Sequence, residues 1–463
     1  MEYEQIKNNL LAEIDSGLKF AQSQDSAANF ELFLYYRSES NVEIKQGVVE
    51  ATDGIVAGNA VRVAKDQRVS FSSSSGITPS QIQRSVNAAL ASLKATSERD
   101  TRFKGFCEPK PPGKEGKFSH EILELSTDDL VKMSLELIGD MTSVNGRVLA
   151  AVACERTWGG FAIGNTLGVQ QASCSAYNAC SAYAMAIDGD QRKTASEELV
   201  TREKALDVTG IGKKAATKAI NLLGTKKFNR TTNLPTLWVP WAASSYILSS
   251  LQQAAKGQAV VEGLSPLSDR LGEKIAYPSF TLIDDGQDPL GISTEAIDAE
   301  GHPQGKTSII EQGVLKGYLF DSYYGRIAGK DSTGNCARSG GPFGSRLPYE
   351  EAPSIFSKNL EVTPGNKTLE ELIASIDGQG ILITDIPIGI FHSSVATGEF
   401  SVVANSVFLI EDGEKKHPLE PVSIAGNFYQ GLKQLRGVGN DIEITSLFVT
   451  TPSLLIDGFS ITS

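Results

Sequence analysis

Histidine and cysteine, the side chains that bind transition metals most readily, are scarce in this chain of 463 residues. The four histidines, His120, His302, His392 and His417, lie far apart in sequence, and the five cysteines include no Cys-x-x-Cys pair. A zinc site needs three or four ligands, and two of them usually lie one helical turn apart so that both face the ion. The sequence therefore predicts no metal site in this chain.

Other features are also missing, and each excludes a class of protein. No stretch of apolar residues is long enough to cross a bilayer, and the start Met1-Glu-Tyr-Glu-Gln-Ile6 has neither a basic nor an apolar leader region. The formal net charge is −12 and no long basic run occurs, which argues against sequence-independent nucleic-acid binding. The odd number of cysteines indicates reduced thiols. We expect a cytoplasmic protein that binds neither a membrane nor nucleic acid.

The first part of the chain has the pattern of a small mixed domain. Apolar residues recur at helical spacing from Tyr3 to Phe20, and short apolar runs between residues 30 and 71 are separated by turn residues. Thr78 and Pro79 then begin a second helix. These patterns predict an N-terminal α+β domain over residues 1–95. Residues 96–117 are polar and rich in proline and glycine, which indicates a linker or an exposed excursion.

The remaining residues divide into two further predicted units. Residues 118–230 contain helices and two strands, Val148–Glu155 and Gly168–Met185, and the small residues of the second strand allow another layer to approach closely. Residues 231–463 contain many short strands separated by turn residues, with one clear helix at Thr368–Ile376. The predicted fold class is α+β, with a middle α+β segment and a C-terminal domain built on a large, curved or barrel-like antiparallel sheet.

The second half of the chain also contains a series of short motifs in a fixed order. They are Asp298-Ala-Glu-Gly301, Glu311-Gln-Gly313, Ser332-Thr-Gly-Asn335, Asn359-Leu-Glu-Val-Thr-Pro-Gly365, Thr397-Gly-Glu-Phe400, Ile424-Ala-Gly-Asn427 and Val438-Gly-Asn-Asp441. By these motifs the chain resembles the TldD/PmbA family, also named modulator of DNA gyrase, whose PmbA branch is called TldE. The first half resembles the family more weakly, through Ala60-Val-Arg-Val63, Asn165-Thr-Leu-Gly168 and Ile211-Gly-Lys-Lys-Ala215.

The resemblance implies a two-subunit zinc metallopeptidase. TldD holds the metal on a His-Glu-x-x-x-His helix together with a cysteine near the C-terminus, whereas TldE holds none. The corresponding helix here, Ala242 to Ala255, has no histidine, and the segment from Asn440 to Pro452 has no cysteine. We therefore interpret the chain as a TldE-like, non-catalytic subunit without a cofactor of its own. The expected partner is a TldD-like subunit that carries zinc, in a heterodimer that degrades or trims unfolded peptides.

The resemblance also suggests where a peptide would be held. In the family the Ser-Thr-Gly-Asn loop lies near the peptide groove, which makes Ser332, Thr333, Gly334 and Asn335 the candidate groove residues. His392 lies in a loop between predicted strands, after Ile386-Pro-Ile-Gly-Ile-Phe391, and loops often carry function. We expect His392 to contact substrate or to support the loop. No catalytic residue is predicted in this chain.

Several alternatives remain open from the sequence alone. The chain could be a metal-free homodimeric peptide-binding protein, or an autonomous hydrolase that uses Cys336 with His392. No base or helix N-terminus that would activate Cys336 is identifiable, so we interpret this cysteine, beside glycines 340, 341 and 344, as part of the groove wall. Scattered ligands such as His302 and His392 could hold a metal. The acids Asp284, Asp285 and Asp288 are interpreted as solvated acids of a turn, because their spacing does not match an EF-hand.

Overall fold

The first half of the chain forms one antiparallel sheet with helices on one face. The computed structural model describes residues 2–339 and 346–463, so glycines 340, 341 and 344 lie outside the described residues. Six strands pair in the order β3-β2-β1-β4-β5-β6. The elements of this half are α1 (Glu2–Gln24), β1 (Asn29–Lys45), β2 (Val48–Lys65), β3 (Arg68–Ser75), α2 (Pro79–Ala95), α3 (His120–Glu124), α4 (Thr127–Val144), β4 (Val148–Asn165), β5 (Gln170–Asp188), β6 (Gln191–Thr201) and α5 (Ile211–Asn221).

Tight turns and caps explain where these elements begin and end. Gln46 and Gly47, at φ of 52° and 77°, form the two-residue turn between β1 and β2, as expected for a hairpin whose twist matches its strands. The Ser126 side chain accepts a hydrogen bond from the Asp129 N–H at 3.2 Å and so caps α4. On α1, the apolar residues Leu10 and Ile14 are buried against the sheet.

The sheet contains strands from both sides of the predicted linker. β1 pairs with β2 along one edge and with β4 along the other. The register of β1 with β4 runs from Glu31 opposite Asn165 to Lys45 opposite Ala151. The segment 96–117 lies against the C-terminal half: Phe106 and Cys107 are buried, and the Gly113 N–H donates to the Ala296 carbonyl at 2.8 Å. The boundaries at 95, 117 and 230 remain predictions.

The second half of the chain forms two larger sheets and one two-stranded ladder. Its helices are α6 (Pro240–Ile247), a π-helical turn (Leu248–Gln252), α7 (Gly257–Val261), α8 (Ser322–Ile327), a 3-10 turn (Pro348–Glu350), α9 (Leu369–Ala374), a 3-10 turn (Ile390–His392) and α10 (Phe428–Lys433). Its strands are β7 (Thr231–Trp238), β8 (Leu282–Asp285), β9 (Lys306–Glu311), β10 (Val314–Leu315), β11 (Cys336–Ala337), β12 (Ser354–Ile355), β13 (Leu360–Val362), β14 (Gln379–Ile383), β15 (Glu399–Ala404), β16 (Val407–Glu411), β17 (Glu414–Pro418), β18 (Val422–Asn427), β19 (Leu435–Val438), β20 (Glu443–Ile444), β21 (Val449–Thr451) and β22 (Leu454–Thr462).

The predicted α+β class and the antiparallel-rich C-terminal half are confirmed, with a difference in detail. An eight-stranded sheet runs β15-β18-β22-β7-β14-β16-β17 with β19 on β22, and a six-stranded sheet runs β10-β9-β8-β13-β21-β20. Two pairs, β7 with β14 and β13 with β21, are parallel. The eight-stranded sheet ends at β15 and β17, so in the described part of the chain it is open and not a closed barrel.

A buried helix lies in the hydrophobic core of this half. The predicted helix from Ala242 to Ala255 is an α-helix, α6, that continues into the π-helical turn. Its Tyr246 ring packs edge-on against Phe428 at 4.9 Å between centroids, and its hydroxyl donates to the Phe428 carbonyl at 2.5 Å. Among the described residues, no helix is both long and apolar enough to cross a membrane.

Candidate functional site

A cleft lies between the helix-free face of the N-terminal sheet and loops of the C-terminal half. It has a volume of about 360 Å³ and adjoins a smaller cavity of about 170 Å³. Aromatic and charged side chains from both halves of the chain line both cavities: Tyr35, Phe161, Glu295 and Lys358. A concave site with aromatic walls and a few charged groups is the usual form of a ligand-binding site, so this cleft is the candidate functional site.

A buried network of charged side chains fastens the two walls together. Arg62 on β2 binds Glu31 on β1 with two hydrogen bonds of 2.7 Å and reaches Glu300 at 3.1 Å. Arg338 donates at 3.1 Å to Oε1 of Glu31, the oxygen that also accepts from Arg62 Nε. The Arg338 guanidinium lies over the Phe33 ring, 4.5 Å from its centroid. Paired guanidinium and carboxylate groups satisfy each other out of water. Arg62 belongs to Ala60-Val-Arg-Val63, one of the segments on which the family resemblance of the first half rests.

The motif Asp298-Ala-Glu-Gly301 forms a tight turn. The Asp298 carboxylate accepts hydrogen bonds from the N–H groups of Glu300 at 2.9 Å, His302 at 3.0 Å and Cys336 at 3.1 Å. Gly301 has a φ of 82°, which favours glycine. Burial, and then the charge of Glu300, raises the pKa of Asp298 to about 7. This turn holds Glu300 in the charged network.

The Ser332-Thr-Gly-Asn335 loop is a structural turn directly behind the cleft wall. Thr333 donates its hydroxyl to the Asn335 amide oxygen at 2.6 Å, and the Asn335 amide donates to Asp284 at 2.5 Å. Gly334 has a φ of 77°, and a Cβ there would clash with the Pro303 carbonyl oxygen. The cavity-lining residues are the ones that follow, Cys336 to Arg338. The loop therefore positions the wall.

His392 lies apart from this loop. It ends the 3-10 turn Ile390–His392 and is exposed, and the described residues that line the two cavities do not include it. Ser332, Thr333, Gly334 and Asn335 are likewise absent from the described residues that line the two cavities. The roles in peptide binding predicted for these four residues and for His392 stay predictions.

The thiol of Cys336 is a poor nucleophile. It is fully buried, and burial, followed by the charges of Glu300 and Asp298, raises its pKa well above the ordinary value. Nucleophilic cysteines react as thiolates and have lowered pKa values. The geometry favours the interpretation of Cys336 as part of the wall over the autonomous hydrolase.

Asp284 corrects the interpretation of the acidic segment as a solvated turn. Asp284 and Asp285 belong to β8 and are buried, because they bind neighbouring loops. Asp284 accepts from the Lys358 N–H at 2.7 Å, and Asp285 pairs with Lys306 at 2.7 Å. Burial raises the pKa of Asp284 to about 6. These acids position the Lys358 segment.

Glu295 and Lys358 are the charged groups that the cleft presents. Among the described residues, none donates a hydrogen bond to the Glu295 carboxylate, and burial raises its pKa to about 7. Lys358 is 8% exposed and donates from Nζ to the Cys336 carbonyl at 3.0 Å. Neither residue was predicted from the sequence. The feature that could have indicated them is their position, since Glu295 and Lys358 lie just before the motifs that begin at Asp298 and Asn359.

The donor groups in the described part of the chain are dispersed. No cluster of three or more His, Cys, Asp or Glu residues within residues 2–339 and 346–463 has the geometry to hold a metal. On the helix where the resemblance implies the metal motif of the TldD branch, every residue from Ala242 to Gln252 is buried. His302 binds the backbone of Pro303 at 2.9 Å and Lys110 at 3.0 Å, so its ring nitrogens already have partners.

Comparison with known proteins decides the family. Residues 231–463, half of the chain, match the family description "PmbA/TldA metallopeptidase C-terminal domain", and residues 30–93 match "PmbA/TldA metallopeptidase domain 1". The chain belongs to the PmbA/TldD family. The motifs Asp298-Ala-Glu-Gly301 and Ser332-Thr-Gly-Asn335 form turns next to the cleft wall, whereas Ile424-Ala-Gly-Asn427 belongs to strand β18.

Individual relatives agree with this assignment. The chain is 26% identical to a metalloprotease PmbA homolog of Haemophilus influenzae, over 87% of this chain and 84% of that protein. It is 30% identical to a metalloprotease of Methanothermobacter thermautotrophicus over 54% of this chain and 52% of the relative. The crystal structure of TldE from Thermococcus kodakarensis is similar with a TM-score of 0.88 and 24% identity, over 97% of this chain and 100% of that one. This last likeness shows the fold.

Proposed function

We propose that this chain is the TldE-like, metal-free subunit of a TldD/TldE-type zinc metallopeptidase that degrades or trims unfolded peptides. The chain shapes part of the peptide groove and does not cut peptides alone. The five cysteines are unpaired and buried, which supports the predicted cytoplasmic location.

One observation carries the proposal, the helix formed by α6 and the π-helical turn. A catalytic zinc ion needs protein ligands and an open position for water or substrate. From Ala242 to Gln252 this helix is buried on all sides and contains alanine, serine, tyrosine, leucine, isoleucine and glutamine. It offers neither a ligand of the required type nor an open position. Zinc in such a complex would therefore be held by the partner.

The cleft supports a role in holding the peptide. Tyr35 and Phe161 give apolar surface on the sheet side, and Phe356 gives it on the loop side. Extended peptides gain affinity from main-chain hydrogen bonds and from pockets for alternate side chains, with little demand on sequence. A subunit without metal can contribute such a wall while its partner supplies the chemistry.

Affinity capture from the native lysate tests the proposal, with this full chain as bait. The eluate is assayed for zinc and for hydrolysis of an unfolded peptide, with and without the recovered partner. We expect a chain with a His-Glu-x-x-x-His motif to co-elute, zinc to follow that chain, and hydrolysis to need both. Recovery of this chain alone, as a metal-free dimer that hydrolyses nothing, would replace the proposal with the homodimeric peptide-binding protein.

A further inference from the structure

We propose that Glu295 and Lys358 form a subsite for the amino-terminal end of a peptide. Glu295 takes the ammonium group and Lys358 the first carbonyl oxygen. This inference rests on the proposed function for the class of ligand, a peptide, and adds which end of the peptide the cleft holds.

The Glu295 backbone is fixed, while none of the described residues donates a hydrogen bond to its carboxylate. The Glu295 N–H donates to the Gln304 side chain at 3.0 Å, and the preceding Thr294 carbonyl accepts from Arg202 at 2.8 Å. The next N–H, that of Ala296, donates to Ser173 at 3.2 Å. Partial burial of an ionised carboxylate costs free energy unless a partner compensates it. The described part of the chain supplies no such donor, so a cationic ligand group would.

Lys358 is held in place but is not neutralised by an ion pair. Its N–H donates to Asp284 at 2.7 Å, and its ammonium donates to the Cys336 carbonyl at 3.0 Å. An ammonium has three N–H donors, so others remain for a ligand. No carboxylate in the described residues lies within 4.0 Å of Lys358 Nζ, Glu295 included, although Lys358 and Glu295 line the same two cavities.

A separated acid and base in one cavity match the chemistry of a peptide amino terminus. The first residue of a peptide carries an ammonium cation on its α-carbon, and the carbonyl group bonded to the same carbon is a hydrogen-bond acceptor. The Tyr35 and Phe161 rings beside Glu295 offer faces that attract an ammonium group and apolar surface for the first side chain. The smaller cavity, about 170 Å³, and the larger cleft, about 360 Å³, share Glu295 and Lys358 in their walls, so a peptide whose first residue lies in the smaller cavity can extend along the larger one.

Binding of matched peptides to the full chain, alone and in the complex recovered from lysate, tests the subsite. The probes are one fluorescent five-residue peptide without lysine, its N-acetylated form, and an N-acetylated form that carries one lysine. Anisotropy titrations use wild type and Glu295→Gln. Glu43→Gln serves as control because Glu43 is exposed on the same strand as Tyr35. Circular dichroism verifies that each variant is folded.

We expect acetylation to weaken binding to wild type about tenfold or more, the effect of losing one charge-assisted hydrogen bond. Glu295→Gln should bind the free and acetylated peptides equally, whereas Glu43→Gln should still discriminate. Lys358→Met should weaken the binding of both peptides and leave the difference in affinity between the free and acetylated forms unchanged.

Three results would overturn the inference. They are equal binding of the free and acetylated peptides to wild type, discrimination that persists in Glu295→Gln, and recovery of full affinity by the acetylated lysine peptide. The last would assign the site to lysine side chains. Because binding is measured on the chain with and without its partner, failure to capture a partner leaves this test intact, and failure of this test leaves the capture result intact.

Discussion

The two faces of the six-stranded N-terminal sheet differ in what covers them. One face is closed by α1, α2, α4 and α5 and is largely apolar, with alanines such as Ala182 and Ala184 fully buried on β5. On the opposite face of the same strand, Tyr183 is 41% exposed. Loops of the C-terminal half cover part of this second face and form the cleft there, and the segment 96–117 covers another part, where Phe106 packs against Arg62. The first face supplies stability, and the second leaves room for a ligand.

The charged network that closes the cleft should respond most strongly to mutation. Arg62→Met removes the cation that Glu31 and Glu300 share, which leaves the buried Glu300 without an ion pair among the described residues and Glu31 with Arg338 alone. We expect a loss of about 3–5 kcal/mol in the free energy of unfolding, measured by urea denaturation. Lys19→Met, at an exposed ion pair on α1, should change it by less than about 0.5 kcal/mol. A similar small loss for both would show that the network does not fasten the two halves.

A matched pair of leucines compares the two faces directly. Leu137 on α4 is fully buried against the helix-covered face, whereas Leu149 on β4 is 57% exposed on the other. Leu137→Ala should lower the free energy of unfolding by about 2–5 kcal/mol, and Leu149→Ala by less than about 0.5 kcal/mol. Thermal or urea unfolding of both variants measures the difference. Equal losses would contradict the division between a stabilising face and an open face.

Two glycines distinguish the stability cost of an unfavourable backbone conformation from the cost of a steric clash in the cleft wall. Gly334 and Gly224 both have positive φ, 77° and 75°, but only Gly334 is in close contact with other backbone atoms. Alanine at either position costs about 1 kcal/mol for the conformation. Gly334→Ala should cost about 1–3 kcal/mol more, because the Pro303 backbone must move, and should weaken peptide binding. Denaturation and anisotropy test this, and an equal cost at both positions would refute the positioning role of the loop.

The smallest expected effect is a change in the pH dependence of stability. The pKa of Glu295 rises on folding to about 7 because of burial, so the folded state takes up a proton. Its contribution to stability is fully present below the ordinary pKa of a glutamate and is lost as pH rises through about 7. Glu295→Gln keeps a neutral group there. The free energy of unfolding of Glu295→Gln, relative to that of wild type, should rise by about 1–2 kcal/mol from about pH 5 to about pH 8. Denaturation at both pH values measures this, and parallel pH profiles would contradict it.

The helical elements follow from the sequence because their signals are local. Apolar spacing from Tyr3 located α1, and Thr78 with Pro79 located the start of α2. The strands were underestimated: β1 continues to Lys45 through Glu39 and Asn41. These polar residues interrupt the apolar pattern on the open face, but β2 and β4 pair with the strand on both sides. Propensity does not show that long-range pairing.

The site was predicted less well than the fold, for a physical reason. The Asp298 and Ser332 motifs are turns, and glycine with a buried aspartate or asparagine makes them visible in sequence. Glu295 and Lys358 belong to no such pattern, and they line the same cleft because the Asp284–Asn335 contact and the Asp298 turn bring distant loops to one wall. A charged residue beside a motif is an ordinary surface residue until the fold shows what surrounds it.

The most direct test of the account is reconstitution from separately purified chains. This chain, its captured partner and their mixture are each assayed for bound zinc and for hydrolysis of an unfolded peptide. The account predicts hydrolysis only in the mixture, with zinc following the partner, and loss of that activity when zinc is chelated. Hydrolysis by this chain alone, or zinc bound stoichiometrically to it, would contradict the account.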